Sequence, residues 1–229
     1  MGWFTKFLTS SIGQKLIMSL TGLFLILFLL VHLAGNLQLL HDDQGEAFNK
    51  YAKFMTTFTP IKVVSYLLYA FIILHAIQGL VLARTNSLAR GAKGYAVKVT
   101  RTVGTNSFAS RYMGPLGVLI LVFLGIHMGD FWWAMKSHQL ELATYDGMQY
   151  QNLYTKVYAS FQQEWIVGVY LLSMAGLAFH LLHGFQSAFQ TLGLNHKKYT
   201  PVIKFLGKAY AILVPIGFAT IPIYFYFFL

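Results

Sequence analysis

The chain has 229 residues, 56% of them hydrophobic and only 10% charged, against about a quarter charged in a typical soluble domain, and its mean hydropathy is +0.56. So little polar surface excludes an ordinary cytosolic enzyme, a nucleic-acid-binding domain and a disordered chain. The net charge of +10 reads instead as the Lys and Arg excess of membrane-protein loops that stay in the cytoplasm. The absence of cysteine removes iron–sulfur clusters, disulfides and thiol-attached haem from this chain.

Apolar runs long enough to cross about 30 Å of hydrocarbon fall at 16–40, 61–83, 114–136, 165–190 and 206–228. Backbone groups in lipid must bond within their own segment, so the expectation is an all-α membrane protein, a single five-helix domain over 1–229. The first run is too long for the apolar core of a signal peptide and lacks a small-residue cleavage site, so no cleaved leader is expected. Between the first two runs, Phe48, Tyr51, Met55 and Phe58 recur at helical spacing and predict a surface helix over 46–58. Tyr150, Tyr154, Val157 and Phe161 predict another over 150–161. Each reads as a packing lid or as one wall of a quinone pocket. Pro215 and Pro222 predict a kink in the fifth span.

Charge sets the expected orientation. With the N-terminus inside, segments 1–15, 84–113 and 191–208 hold twelve Lys and Arg and no acid, whereas the outer segments hold five bases and all seven acids. That asymmetry predicts a cytoplasmic N-terminus and an outer C-terminus. The loop 84–113, with six bases, reads either as an ordinary positive-inside loop or as a docking surface.

Each of the first four spans carries a histidine: His32, His75, His127 and His180. Ionisable side chains in a bilayer are costly and need a reason. At a rise of about 1.5 Å per residue, His32 and His127 lie roughly 12 and 14 Å below the outer helix ends, and His75 and His180 roughly 21 and 22 Å below. The four thus form two layers. Two imidazoles at one depth on different helices suit axial ligation of a b-type haem iron, so the expectation is two haem b groups. His32 and His127 would hold the outer one, and His75 and His180 the inner one. A flat macrocycle needs room beside the helices, and glycine provides it. Gly79 and Gly184 each follow a His by one turn, while Gly35 and Gly129 flank His32 and His127. His183, one turn past His180, is a rival ligand or a propionate partner. Ser19, Arg84 and Gln190 near the inner helix ends are further propionate candidates, Arg84 through charge-assisted bonds. His41, His138 and His196 read as surface residues.

Together the run Ser19-Leu-Thr-Gly22 through His32-Leu-Ala-Gly35-Asn36, the His75 and His180 helices and His127 resemble one family over nearly the whole chain. It is the single-chain, five-helix, dihaem cytochrome b subunit of succinate:quinone oxidoreductases, which comprise succinate dehydrogenase and quinol:fumarate reductase. The resemblance implies pairing of the first helix with the third and the second with the fourth. It also favours His180 over His183 as ligand. It implies a flavoprotein partner with covalent FAD, an iron–sulfur partner subunit, and a place in the bacterial cytoplasmic membrane. Dicarboxylate chemistry would belong to the partners. Menaquinone would be the membrane substrate near the outer haem, with Glu46 or Asp130 as the acid serving its protons. Two other readings remain open on the residues alone: a self-contained dihaem transmembrane reductase of the b561 type, and a haem-free transporter.

Overall fold

A computed structural model describes residues 2–90 and 112–229. Lys93, Lys98, Arg101 and Arg111, four of the bases expected in the loop 84–113, lie outside the described residues. Among the described residues five helices are long and apolar enough to cross a membrane, so the chain is a mostly helical, multi-pass membrane protein.

A short helix α1 (Trp3–Thr9) leads into α2 (Ser11–Asn36). Ser10 separates them: its Oγ accepts the Gly13 N–H at 3.0 Å and caps α2. The first span therefore starts several residues earlier than hydropathy alone suggests. A single 3-10 turn, Leu37–Leu40, ends it. Helix α3 (Glu46–Thr57) follows, then α4 (Thr59–Arg90), with Pro60 in its first turn, where a missing N–H costs nothing. α4 outruns the expected span at its far end because no Gly or Pro follows Gly79 until Gly91. The third span, α5 (Met113–Lys136), changes to π-helix over Met128–Trp133, directly after His127. Then come strands β1 (Leu142–Tyr145) and β2 (Met148–Gln151), helix α6 (Leu153–Phe161) and the spans α7 (Glu164–Thr191) and α8 (Thr200–Phe227). α8 runs without interruption through Pro215 and Pro222, both buried.

The predicted surface helix over 46–58 is present as α3. The one predicted over 150–161 is shorter, and the chain is not purely α. Residues 148–151 form β2, antiparallel to β1 with Tyr145 opposite Met148. The turn residues Asp146 (φ 51°) and Gly147 (φ 73°) take the two left-handed conformations of a tight hairpin, for which Asp-Gly is a strong local signal. Tyr150 is buried in that strand rather than on a helix. α6 begins after Asn152, whose Oδ1 accepts the Thr155 N–H at 3.2 Å.

At the hairpin end these short elements form a roof. Asn49 of α3, 1% exposed, ties it together. Its Nδ2 donates to Tyr145 Oη at 3.1 Å and Asn152 Oδ1 at 3.0 Å, and its Oδ1 accepts the Tyr154 N–H at 3.1 Å. Lys50 donates to Glu46 at 2.6 Å and to Asp146 at 2.5 Å. The bonds to Asp146 and Glu46 hold its ammonium well above the usual lysine range. Beneath the roof, Leu39, Phe48, Val157, Phe161, Ile166, Tyr170 and Phe225 form one packed core. The spans α2, α4, α5 and α7 make a four-cornered bundle in which adjacent corners pack, α2 on α4, α4 on α5, α5 on α7 and α7 on α2, while α8 lies against α7 and α2. Val63, Ile73 and Ile77 of α4 are exposed, as lipid-facing side chains should be.

Asn49→Ala leaves two side-chain acceptors and a backbone N–H of the roof without their partner. A loss of about 2–3 kcal/mol of stability is expected, read as an earlier thermal transition in detergent and faster proteolysis at the hairpin.

Candidate functional site

The four membrane histidines converge as two pairs, each spanning a diagonal of the bundle. His32 of α2 and His127 of α5 have ring centroids 5.8 Å apart with planes at 89°. His75 of α4 and His180 of α7 are 6.3 Å apart at 70°. The main packing runs between adjacent helices, and the imidazoles meet across the bundle interior. The His32/His127 pair lies near the roof. His127 contacts Phe131 and Tyr170, at centroid distances of 5.6 and 6.1 Å, and both of those rings adjoin Phe161 in the core. Phe28 and Phe218 pack on His32 at 5.0 and 5.6 Å.

The space between paired rings suits a metal. A metal bonded to the Nε2 of two facing imidazoles at about 2 Å each, with each ring centre about 1 Å further back, separates the centroids by about 6 Å. No group of three or more His, Asp or Glu able to hold a bare metal ion occurs among the described residues. Two protein ligands suffice only where another molecule fills the remaining positions, as a porphyrin does. Thr21 supplies a further point of fit. Its hydroxyl can donate to the carbonyl of Ile17, 2.8 Å away, and its Oγ1 lies 3.1 Å from His75 Nδ1. The oxygen accepts from the ring when Nδ1 carries the proton. That tautomer has its lone pair on Nε2, as metal ligation requires. His180 Nδ1 is buried with no hydrogen-bond partner. Asn36 differs in polarity: its Nδ2 donates to the His32 carbonyl at 2.7 Å and lies 3.3 Å from His32 Nδ1, so it presents a donor to that nitrogen.

The glycines divide. Gly129 is exposed and, two residues past His127, lies on nearly the opposite side of the helix. A Cβ on Gly184 would meet nothing within 4 Å, and one on Gly79 would reach only Met18 Cε, at 3.5 Å. These two leave space one turn from His180 and His75. Gly35 does not: a Cβ there would strike the Tyr51 ring of α3, so this glycine admits a side chain of the roof rather than a macrocycle. Gly22, outside the predicted set, allows the His75 ring to approach α2, since a Cβ would lie 3.3 Å from His75 Cε1. Of the propionate candidates, Ser19 is buried and donates to the Lys15 carbonyl at 2.9 Å. His183 is half-buried, while Arg84 and Gln190 are exposed.

The two acidic candidates also divide. Glu46 is engaged by Lys50 on the roof. Asp130, in the π-helical turn after His127, forms an ion pair with Lys156 of α6 and has Oδ2 buried without a partner. It follows His127 by three residues on α5. A π-helical turn rotates the residues after it relative to an α-helix, and such turns are frequent at functional sites. Tyr170 and Lys156 carried a usable signal in the sequence: a phenol in mid-span and a base among outer acids both need partners.

Comparison of the chain with known protein families, with curated proteins and with solved structures found no match.

Lys156→Met would leave the Asp130 carboxylate, 18% exposed, without its cation, at a cost of about 2–3 kcal/mol. The double variant with Asp130→Asn should recover most of that loss, and thermal unfolding of the four proteins of the cycle measures the coupling.

Proposed function

We propose that this chain is the dihaem cytochrome b membrane anchor of a succinate:quinone oxidoreductase, carrying electrons between an iron–sulfur partner subunit and menaquinone. The observation that carries the reading is the pair of diagonal His–His contacts, at 5.8 and 6.3 Å between ring centroids, stacked at two depths in one bundle. His32 and His127 hold the outer haem b, and His75 and His180 the inner. Each haem supplies one-electron chemistry when bound, its iron alternating between two oxidation states. The surrounding Phe28, Phe123, Phe131 and Phe218 exclude water from the outer pair. That keeps the local dielectric low and the reorganisation of solvent on charge transfer small.

Orientation follows from charge. The roof and hairpin carry the acids and the opposite end is rich in bases, which supports a roof on the outside of a bacterial cytoplasmic membrane and a far end in the cytoplasm. The basic cytoplasmic face is where the iron–sulfur subunit docks, with the FAD-bearing flavoprotein beyond it. This chain itself leaves succinate and fumarate to those partners. Menaquinone belongs near the outer pair. Asp130, beside His127 and with one free carboxylate oxygen, is better suited than Glu46 to exchange its protons, because Lys50 already occupies Glu46.

The test is single replacement of His32, His75, His127 and His180 by Ala, with haem content and reduced-minus-oxidised spectra recorded in membranes. His32→Ala and His127→Ala should lose one and the same haem, and His75→Ala and His180→Ala the other. A wild-type protein without haem, or two variants that keep both bis-His haems, would overturn the assignment.

A further inference from the structure

Each histidine pair contains one ring whose Nδ1 meets a hydroxyl from a third helix. His75 of α4 faces Thr21 of α2 at 3.1 Å. His127 of α5 faces Tyr170 of α7 at 3.2 Å. The other member of each pair has no such partner: His180 Nδ1 is buried and unbonded, and His32 has only the Asn36 amide of its own helix. The helices that provide the hydroxyls are also those that provide the remaining histidines. α2 gives His32 to one pair and Thr21 to the other, while α7 gives His180 to one and Tyr170 to the other. Each site is thus built by three helices, and α2 and α7 serve both.

Resting on the reading of these pairs as axial ligands, we infer that Thr21 and Tyr170 are positioning residues: each accepts the Nδ1 proton of one ligand ring from across a helix interface and so aims that ring's Nε2 lone pair into the space between the paired imidazoles. A ring that binds metal through Nε2 carries its proton on Nδ1, so the hydroxyl beside it must accept. Thr21 can do so because the Ile17 carbonyl at 2.8 Å is at hand for its own proton. Burial of Thr21, 3% exposed, keeps water from competing. Gly22 lets the ring come close enough to use it. Tyr170 meets His127 Nδ1 at 3.2 Å with the same relation. A ligand imidazole that donates its distal N–H is held in one orientation and is the more basic toward metal. It therefore favours the oxidised iron, and loss of the acceptor should raise the midpoint potential of that haem alone.

The experiment uses the full-length protein in native membranes. Haem content, potentiometric titration and the low-temperature EPR signals of oxidised haem are measured for wild type, Thr21→Val, Thr21→Ser and Tyr170→Phe. Thr21→Val keeps the shape of the side chain and removes the hydroxyl. It should shift one haem upward by about tenfold in its reduced-to-oxidised ratio, about 59 mV for one electron, and move that haem's EPR signal while the other stays in place. Thr21→Ser should restore the wild-type values, and Tyr170→Phe should move the other haem. If Thr21→Val instead loses one haem, retention by Thr21→Ser supports the role, and loss in both overturns it. Unchanged potentials and signals in Thr21→Val, or the same haem moved by Thr21→Val and Tyr170→Phe, also overturn it. Two normal haems in the wild type alongside those results would leave the ligand reading standing. A wild type with no haem would remove that reading and this inference together.

Discussion

An imidazole surrounded by hydrocarbon has two nitrogens to satisfy and no water to satisfy them. That constraint organises the interior of this bundle. At each diagonal, two rings from opposite corners of the bundle meet, and for one ring of each pair a hydroxyl from a third helix lies against the distal nitrogen. What the paired rings would share, if they serve as axial ligands, is a metal between them, bound through the Nε2 lone pair that each ring has when its proton is on Nδ1.

Packing is graded along the bundle, and the gradient has a physical cause. The tight core lies under the roof, where Phe48, Phe161, Tyr170 and Phe225 converge and Asn49 closes three polar contacts at once. More than a third of the α7 span and a third of the α8 span is fully buried, whereas no residue of the α4 span is, its inward side chains being only half-buried. A helix whose outer face meets lipid gains no hydrophobic free energy from packing against its neighbours. What then fixes α4 in the bundle is specific: the contact of His75 with Thr21, the bond from Trp132 Nε1 to Tyr69 Oη at 2.8 Å, and the close approach at Gly22. The roof binds the outer helix ends together, and a small number of polar contacts set the depth of α4 beneath it.

The spans were legible in the sequence because a twenty-residue apolar run admits few structures in lipid. The pairing of histidines by depth was legible for a related reason, since a rigid helix converts residue number into height. What hydropathy could not convey was local. The end of the hairpin at 142–151 was masked because Tyr150 falls in phase with the helical spacing of Tyr154, Val157 and Phe161, although Asp146-Gly147 carried the turn signal. Gly35 looked like room for a macrocycle because it follows His32 by three residues. Only the position of α3 reveals that Tyr51 occupies that room. The ion pair of Asp130 with Lys156 joins residues far apart in the chain, and the π-helical turn that presents Asp130 has no reliable sequence signature. Thr21 is the opposite case. A threonine in the middle of an apolar helix ordinarily bonds back to its own backbone, and it does so here, but its remaining lone pairs are the ones that His75 needs.

How one helix can serve two sites at different depths follows from its phase. His32 and Thr21 are eleven positions apart on α2, which at about 100° per residue brings them to within about 20° of the same face and about 16 Å apart along the axis. The stripe through Thr21, Phe28, His32 and Gly35 therefore points inward throughout: its lower part orients a ring from α4, and its upper part offers a ring to α5. On α7 the corresponding residues, Tyr170 and His180, are ten positions and about 80° apart. That turn is large enough for α7 to address α5 near the roof and α4 below it. α2 faces one diagonal partner and one adjacent helix from a single stripe, while α7 rotates from its adjacent partner to its diagonal one. Axial sliding of either helix would disturb both histidine pairs together, so the two sites are mechanically coupled through α2 and α7 even though they share no side chain.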